Sequence, residues 1–395
     1  MISKTPNILS PRLQRLYSDL QNIGSSVLRE FWVEIEQQGT PIIEPSTDDY
    51  SMVTFLWRDD GSACNVAVIQ DWGADGIREH HMTLLSNSDV WYLSRRMRSD
   101  TRTTYQLSPS SSSNPGELAP YQPDPLNSKI FTAYLSETGN DILFSLLELP
   151  NAPALPWRQI GSVKPGIVQL HTPFANQQRL WMYMPPSSHT MTPLPVLVVF
   201  DGRLYKDMLK LPEMLDYLSG NGDVPPVAAL MVDNLDRSDL LCKPEFAGYI
   251  ANDVIPWLRA TYPITTDPVQ TIVMGSSLGG LAAVFLAFKY PNIFGTVLSQ
   301  GGWFRWHPEG DSEHHWLTRQ LAAVPKLSVR FWLQVGDLEI AQMLDGGPSQ
   351  LAANQHLRDT LQAKGYSVSY QEYSGGHDSS SLEFPLAQGL KEILH

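Results

Sequence analysis

The sequence predicts an α/β protein: a doubly wound, mostly parallel sheet preceded by a small β-sandwich. Two observations carry this. From about residue 156 onward, continuous apolar runs (LPVLVVFDG, VAALMVDN, QTIVMG, GTVLSQGG, SVRFWLQVG) alternate with stretches of helical periodicity such as FAGYIANDVIPWLRATY and LGGLAAVFLAFKYP. That alternation marks strands buried on both faces and joined by helices. Ahead of it, short runs rich in β-branched and aromatic residues (VTFLW, CNVAVIQDW, MTLLS, VWYLSRRM, TTYQLS) are separated by the turn sequences DDGS, GADG and SNSD. Several short strands at this spacing are the pattern of a sandwich.

The other elements follow in order. Residues 10–38 carry Leu13, Leu16, Leu20, Ile23, Val27, Leu28, Phe31 and Trp32 at helical spacing, which predicts one or two helices. The stretch PSSSSNPGELAPYQPDPLN is too rich in serine and proline for a regular element and is expected to run over the surface. A second proline cluster, LPNAPALPW, sets the expected domain boundary near residue 155, dividing residues 1–155 from 156–395. A chain of 395 residues exceeds what one core usually holds, in keeping with two domains.

Composition excludes several classes. Hydrophobic residues at 42% and charged residues at 17% describe an ordinary globular protein. A net charge of −13 disfavours non-specific nucleic-acid binding and attraction to anionic lipid, both of which need a basic face. The first twenty residues hold no apolar core of signal-peptide length and no later run is long enough to span a bilayer, so a cytoplasmic protein without membrane partners is expected. Cys64 and Cys242 are too few for a disulfide framework or a zinc cluster, and the pairs His80-His81 and His314-His315 lack a second cluster at ligand spacing. No metal or cofactor is expected, and the oligomeric state stays open.

The sharpest local signal is Gly275-Ser276-Ser277-Leu278-Gly279, which follows the apolar strand TIVM and opens a helix. G-x-S-x-G at a strand-to-helix turn is the nucleophile elbow of α/β-hydrolases, where glycines relieve crowding around a serine held on a strained turn. Ser277 is the central residue; Ser276 is off-register. A helix N-terminus here also puts the Leu278 N–H where it can stabilise an oxyanion. Backbone N–H groups near Gly202 and Arg203, in the loop after LPVLVVFDG, are candidates for the second donor, with Asp201 shaping the turn.

A serine hydroxyl needs a base, and the chain order serine, acid, histidine places that base late. His377 in YSGGHD, a glycine-bracketed loop after the strand-like YSVSYQEY, meets the requirement. The acid is expected after SVRFWLQVG, where Asp337 and Glu339 both follow Gly336 and Asp345 is a more distant option. It would hold the imidazole tautomer and stabilise the imidazolium.

Together these residues resemble the enterochelin (enterobactin) esterases. The resemblance lies in FLWRDDG, NSDVWYLS, DTRTTYQL and DPLN, then in FDG, DNLDRSDLLCKPEF, GSSLGG, FGTVLSQGG, VGDLE, ANQ and SGGHD. It implies an immunoglobulin-like sandwich, expected to contact substrate, before an α/β-hydrolase domain of the esterase D type. The implied activity is cytoplasmic hydrolysis of the ester bonds of ferric catecholate siderophores, iron entering only as part of the substrate. The family's G-x-x-E step matches Gly336-Asp337-Leu338-Glu339 and favours Glu339 as the acid. After SGGHD the family carries a tryptophan–arginine pair where this chain has Leu382-Glu383, a change that would alter substrate preference if the position faces substrate. A ferric tris-catecholate bears about three negative charges, which an acidic protein must meet with local cations. Arg58, Arg102, Arg237 and Arg305 are the candidates, with Trp303 and Trp306 placed to pack against catechol rings.

Two other readings compete. A carbohydrate-associated feruloyl or acetyl esterase would share the hydrolase domain but calls for secretion. A non-catalytic binding protein on a hydrolase scaffold would leave Ser277 unreactive.

Overall fold

The computed structural model describes residues 9–47, 49–70, 78–114, 117–134, 141–159, 164–176, 178–186, 193–233, 236–342 and 346–394. Two compact units emerge. One comprises Met1–Pro153 together with Ser374–Ser381, the other Ala154–Tyr373 together with Leu382–His395.

The first unit opens with α1 (Pro11–Asn22) and α2 (Val27–Gln38). Ser10 caps α1 by accepting from the Leu13 N–H at 3.2 Å, and Pro11 occupies the first turn, where no donor is required. Leu13, Leu16 and Leu20 pack with Phe31, Trp32 and Ile35 against Leu56, Leu85, Val90 and Tyr92. Ile23 departs from that stripe: it stands at the helix end and is 65% exposed.

Among the described residues nine strands follow: β1 (Ile42–Pro45), β2 (Tyr50–Arg58), β3 (Asn65–Gln70), β4 (Arg78–His81), β5 (Thr83–Leu84), β6 (Val90–Arg98), β7 (Arg102–Ser110), β8 (Ile130–Tyr134) and β9 (Asp141–Glu148). They form two sheets, ordered β1-β2-β6-β5 and β4-β3-β7-β9-β8. Phe55 of the first sheet and Tyr105 of the second, both fully buried, meet edge to face with centroids 4.8 Å apart. The turn expected at GADG lies outside the described residues.

One expectation is corrected here. The end of the serine- and proline-rich stretch does not run over the surface: Asp124 and Asn127 are buried. Asp124 accepts from the Tyr105 hydroxyl at 2.8 Å, while Asn127 donates to that hydroxyl at 3.1 Å and to the Leu146 carbonyl at 3.1 Å. A buried phenol needs polar partners, and the D-P-L-N segment supplies them.

The second unit is built on an eight-stranded sheet. Its strands are β10 (Ile167–His171), β11 (Arg179–Met184), β12 (Val196–Val199), β13 (Ala228–Asp233), β14 (Thr271–Ser276), β15 (Thr296–Gln300), β16 (Arg330–Gly336) and β17 (Val368–Tyr373). Their order is β10-β11-β13-β12-β14-β15-β16-β17; β10 and β11 are antiparallel, and the pairs from β13 to β17 are parallel. Helices α3 (Leu211–Gly220), α4 (Pro244–Tyr249), α5 (Ile255–Thr261), α6 (Leu278–Lys289), α7 (Trp316–Ala323), α8 (Gln350–Ala363) and α9 (Ser379–Leu394) connect or follow the strands. Alternate residues of β12 enter different cores: Val196 and Val198 pack with α6 residues, Leu197 and Val199 with α3 and α9 residues. The sheet is therefore covered on both faces, which is why these strands read as unbroken apolar runs. The strand order reverses about β12, and open α/β sheets place their sites at the carboxyl ends of strands beside such a reversal.

Candidate active site

Ser277 stands between β14 and α6 at φ 55° and ψ −117°, a backbone region costly for a residue with a side chain. Neighbouring backbone holds it there. Its N–H donates to the Gln300 carbonyl at 3.0 Å, and its carbonyl accepts from the N–H groups of Leu281 and Trp303, each at 3.0 Å. The turn is so tight that a Cβ on Gly275 would lie 2.5 Å from the carbonyl carbon of Gly279, which accounts for the glycine. Ser276, by contrast, is the buried last residue of β14.

β12 ends beside this elbow. The Phe200 N–H donates to the Met274 carbonyl at 2.9 Å, and a Cβ on Gly279 would lie 3.3 Å from both Phe200 Cβ and Asp201 Oδ2. Gly202 and Arg203 therefore belong to the loop flanking the first turn of α6, and Gly202 has no room for a side chain, since a Cβ there would sit 2.7 Å from the Met231 carbonyl carbon. Asp201 adopts φ 53° and receives Arg237 on both oxygens, at 3.1 and 3.0 Å. Burial pushes the Asp201 carboxyl above its usual range, with Arg237 opposing that rise.

The two acid candidates are placed differently. Glu339 is buried; it accepts from the Gly336 N–H at 2.8 Å and faces the Tyr373 hydroxyl at 3.5 Å. Asp337 is half-buried, and its N–H donates to the Tyr373 carbonyl at 2.8 Å, extending the β16–β17 pairing by a residue. Asp345 lies outside the described residues. His377 follows Tyr373, the last residue of β17, by four positions, in the segment Ser374–Ser381 that belongs to the first unit. Next to it Asp378 caps α9, its Oδ1 accepting from the Ser380 and Ser381 N–H groups at 3.0 and 3.3 Å.

The cations fall into two kinds. Arg58 and Arg237 keep 50% and 55% of their side chains exposed; Arg58 pairs with Glu36 and Asp89 and lies over the Trp32 ring. Arg102 is buried, its Nε on Glu148 at 3.0 Å and its Nη2 on the Pro153 carbonyl at 2.7 Å, so its charge is engaged within its own unit. Arg305 is buried with its guanidinium 5.8 Å from the Trp303 ring centroid. Trp303 reaches Ser277 through the backbone, whereas Trp306 packs edge to face on Trp316 with centroids 5.6 Å apart.

At the Leu382-Glu383 departure both side chains are buried, so the condition on which a change of substrate preference was expected is not met. Glu383 is fully buried, accepting from Trp157 Nε1 at 2.5 Å and from Arg158 Nε and Nη2 at 2.8 and 2.6 Å. It faces the interior, and its charge is answered by Arg158. Asn354 and Gln350 support the elbow's neighbouring turn and are absent from the residues the sequence singles out, although Asn354 lies within the ANQ motif. On α8 they donate to the Gly302 and Gly301 carbonyls, pinning the turn that delivers the Trp303 N–H to Ser277. Two amides on the buried stripe of a helix, beside Ala353 and Leu357, were the available signal.

Comparison with known proteins agrees with this architecture. Residues 174–393 match the family described as putative esterase, and residues 52–158 match the enterochelin esterase N-terminal family. The chain belongs to the enterochelin esterase family. The iron(III) enterobactin esterase of Dickeya dadantii (strain 3937) is 26% identical, over 92% of each chain. The iron(III) salmochelin esterase of Escherichia coli O6:H1 is 27% identical, over 92% of this chain and 93% of its own. Among solved structures, the ferric enterobactin esterase from Salmonella typhimurium superposes with a TM-score of 0.72 at 25% identity, covering 92% of this chain and 98% of that one. The Shigella flexneri enterobactin esterase, crystallised in the presence of 2,3-di-hydroxy-N-benzoyl-glycine, gives 0.69 at 25% identity, covering 90% and 96%. The protein is an ester hydrolase with an esterase fold. Among the described residues, no helix is long and apolar enough to cross a membrane.

Proposed function

We propose that this esterase hydrolyses the ester bonds of a ferric catecholate siderophore of the enterobactin class, in the cytoplasm, through an acyl-enzyme on Ser277. The observation that carries the reading is the strained, backbone-held elbow at Ser277, beside the β12 loop at a strand reversal. The functions named for the relatives support the substrate class.

In the reaction, His377 takes the Ser277 proton as Oγ adds to the ester carbonyl, and returns it to the departing alkoxide. Water then adds to the acyl group by the same route and frees Ser277. Glu339 steadies the imidazolium, a role its burial beside the carboxyl end of β16 supports over Asp337. N–H groups of Leu278 with Gly202 or Arg203 receive the oxyanion; α6 N-terminal donors have no carbonyl of their own helix to bond. This is acyl transfer by side chains and backbone N–H groups, and iron takes part only within the substrate.

Arg237 and Arg58, the exposed cations, answer the substrate's negative charge, and Trp303 and Arg305 complete the substrate-binding set. Two antiparallel sheets joined through Phe55 and Tyr105 support an immunoglobulin-like sandwich within residues 1–155 as the accompanying domain. The test is incubation with ferric enterobactin and a panel of other catecholate siderophores beside a Ser277→Ala control, with products followed by mass. Serine-dependent release of linear or monomeric acyl-serine is expected. Turnover of feruloyl or acetyl esters alone, or an unreactive Ser277, would overturn the reading.

A further inference from the structure

We infer that the first unit is a positioning element for the general base, acting on the His377 loop through Thr103. The inference rests on the proposed role of His377. The segment Ser374–Ser381 carries two adjacent glycines before the histidine and closes on itself through the Gly376 N–H, which donates to Ser381 Oγ at 3.1 Å. Further restraint comes from the start of β7. Thr101 Oγ1 lies 2.6 Å from Ser374 Oγ, Thr103 Oγ1 donates to Asp378 Oδ2 at 2.7 Å, and Ser381 Oγ lies 2.8 Å from the Arg102 carbonyl. These contacts bracket His377 on both sides. Thr101, Thr103, Asp378 and Ser381 are all buried, so water offers no substitute partner.

Thr103 is the decisive member because of what Asp378 already does. That carboxylate caps α9 with Oδ1 and stands one residue from the imidazole. Its Oδ2 lies 2.7 Å from both Thr103 Oγ1 and Ser381 Oγ. A Ser381 hydroxyl has one proton, and the Arg102 carbonyl competes for it. Thr103 is thus the donor from outside the segment that fixes the carboxylate. Arg102 fits the same account: its side chain anchors the strand start to Glu148 and Pro153.

The test compares Thr103→Val, which removes the hydroxyl at nearly constant volume, with Thr103→Ser, which keeps it. Both are assayed in the full chain with a short activated ester and with a fluorophosphonate that labels Ser277. Displacing a catalytic group by about 1 Å costs up to about 100-fold in rate. Thr103→Val should therefore lose about 10- to 100-fold in kcat and in labelling rate with KM little changed, and Thr103→Ser should recover most of both. The inference fails if Thr103→Val matches the wild type, or if both variants lose activity in step with a lowered melting temperature and serine rescues nothing. Absence of serine-dependent turnover in the wild type would instead sink the esterase reading, and this inference with it.

Discussion

Glu383 and Arg158 form an ion pair with a buried carboxylate, in which Arg158 Nε reaches both carboxylate oxygens at 2.8 Å and Nη2 one of them at 2.6 Å. Trp157 Nε1 completes the shell, so the carboxylate is satisfied without water. Arg158→Met strands that charge and should cost about 3 kcal/mol, the low end for a broken buried pair because the arginine is 37% exposed. Denaturant melts measure this. Glu383→Gln should lower stability while leaving KM for siderophore unchanged; a changed KM at constant stability would return Glu383 to the substrate.

How far such features can be read in the sequence depends on whether their partners are local. The strand-turn-helix about Ser277 is legible because its parts are contiguous, and the loop that carries His377 because its glycines directly follow a strand-like run. Glu383 is not: its partners lie 225 and 226 residues away and nothing in a linear pattern couples them. Thr103 reads as an ordinary strand threonine for the same reason, although Asp378 lies 275 residues on. D-P-L-N reads as surface loop because its composition is that of turns, whereas the partners that draw it inward, the Tyr105 hydroxyl, Ser145 Oγ and the Leu146 carbonyl, lie on distant strands.

The strain at Ser277 predicts a trade between stability and activity. A residue at φ 55°, ψ −117° costs roughly 1–3 kcal/mol, which glycine does not incur, less about 1 kcal/mol for the added freedom of the unfolded chain. Ser277→Gly should therefore abolish turnover and raise stability by about 1 kcal/mol, whereas Ser277→Ala abolishes turnover without that gain. Equal melting temperatures for the two variants would argue against stored strain.

Burial separates the acid candidates and kinetics can test the separation. Glu339→Gln should reduce kcat by about 10³- to 10⁴-fold, as expected when an imidazole loses its orienting carboxylate. Asp337→Asn should stay within a few-fold of wild type, since the hydrogen bond that extends the β16–β17 pairing is made by the backbone of Asp337 and survives the change. The reverse ranking would move the acid to Asp337.

His315 predicts how stability changes with pH. Half-buried, with Nδ1 3.3 Å from the Phe304 carbonyl and its ring 4.6 Å from that of His356, it is held below the usual histidine value of 6.5, first by burial and then by His356. His314 and Arg319 add to the depression, and the Phe304 carbonyl opposes it. Below that value the unfolded chain takes up a proton more readily than the folded one, so this group's contribution to stability is lost as pH falls through the window beneath 6.5. His315→Asn keeps a residue that tolerates the left-handed φ of 64° and removes the titration. Melting temperatures taken from about pH 7 to 5 should fall less steeply for this variant than for wild type. Parallel curves would show that His315 binds its proton equally well in both states.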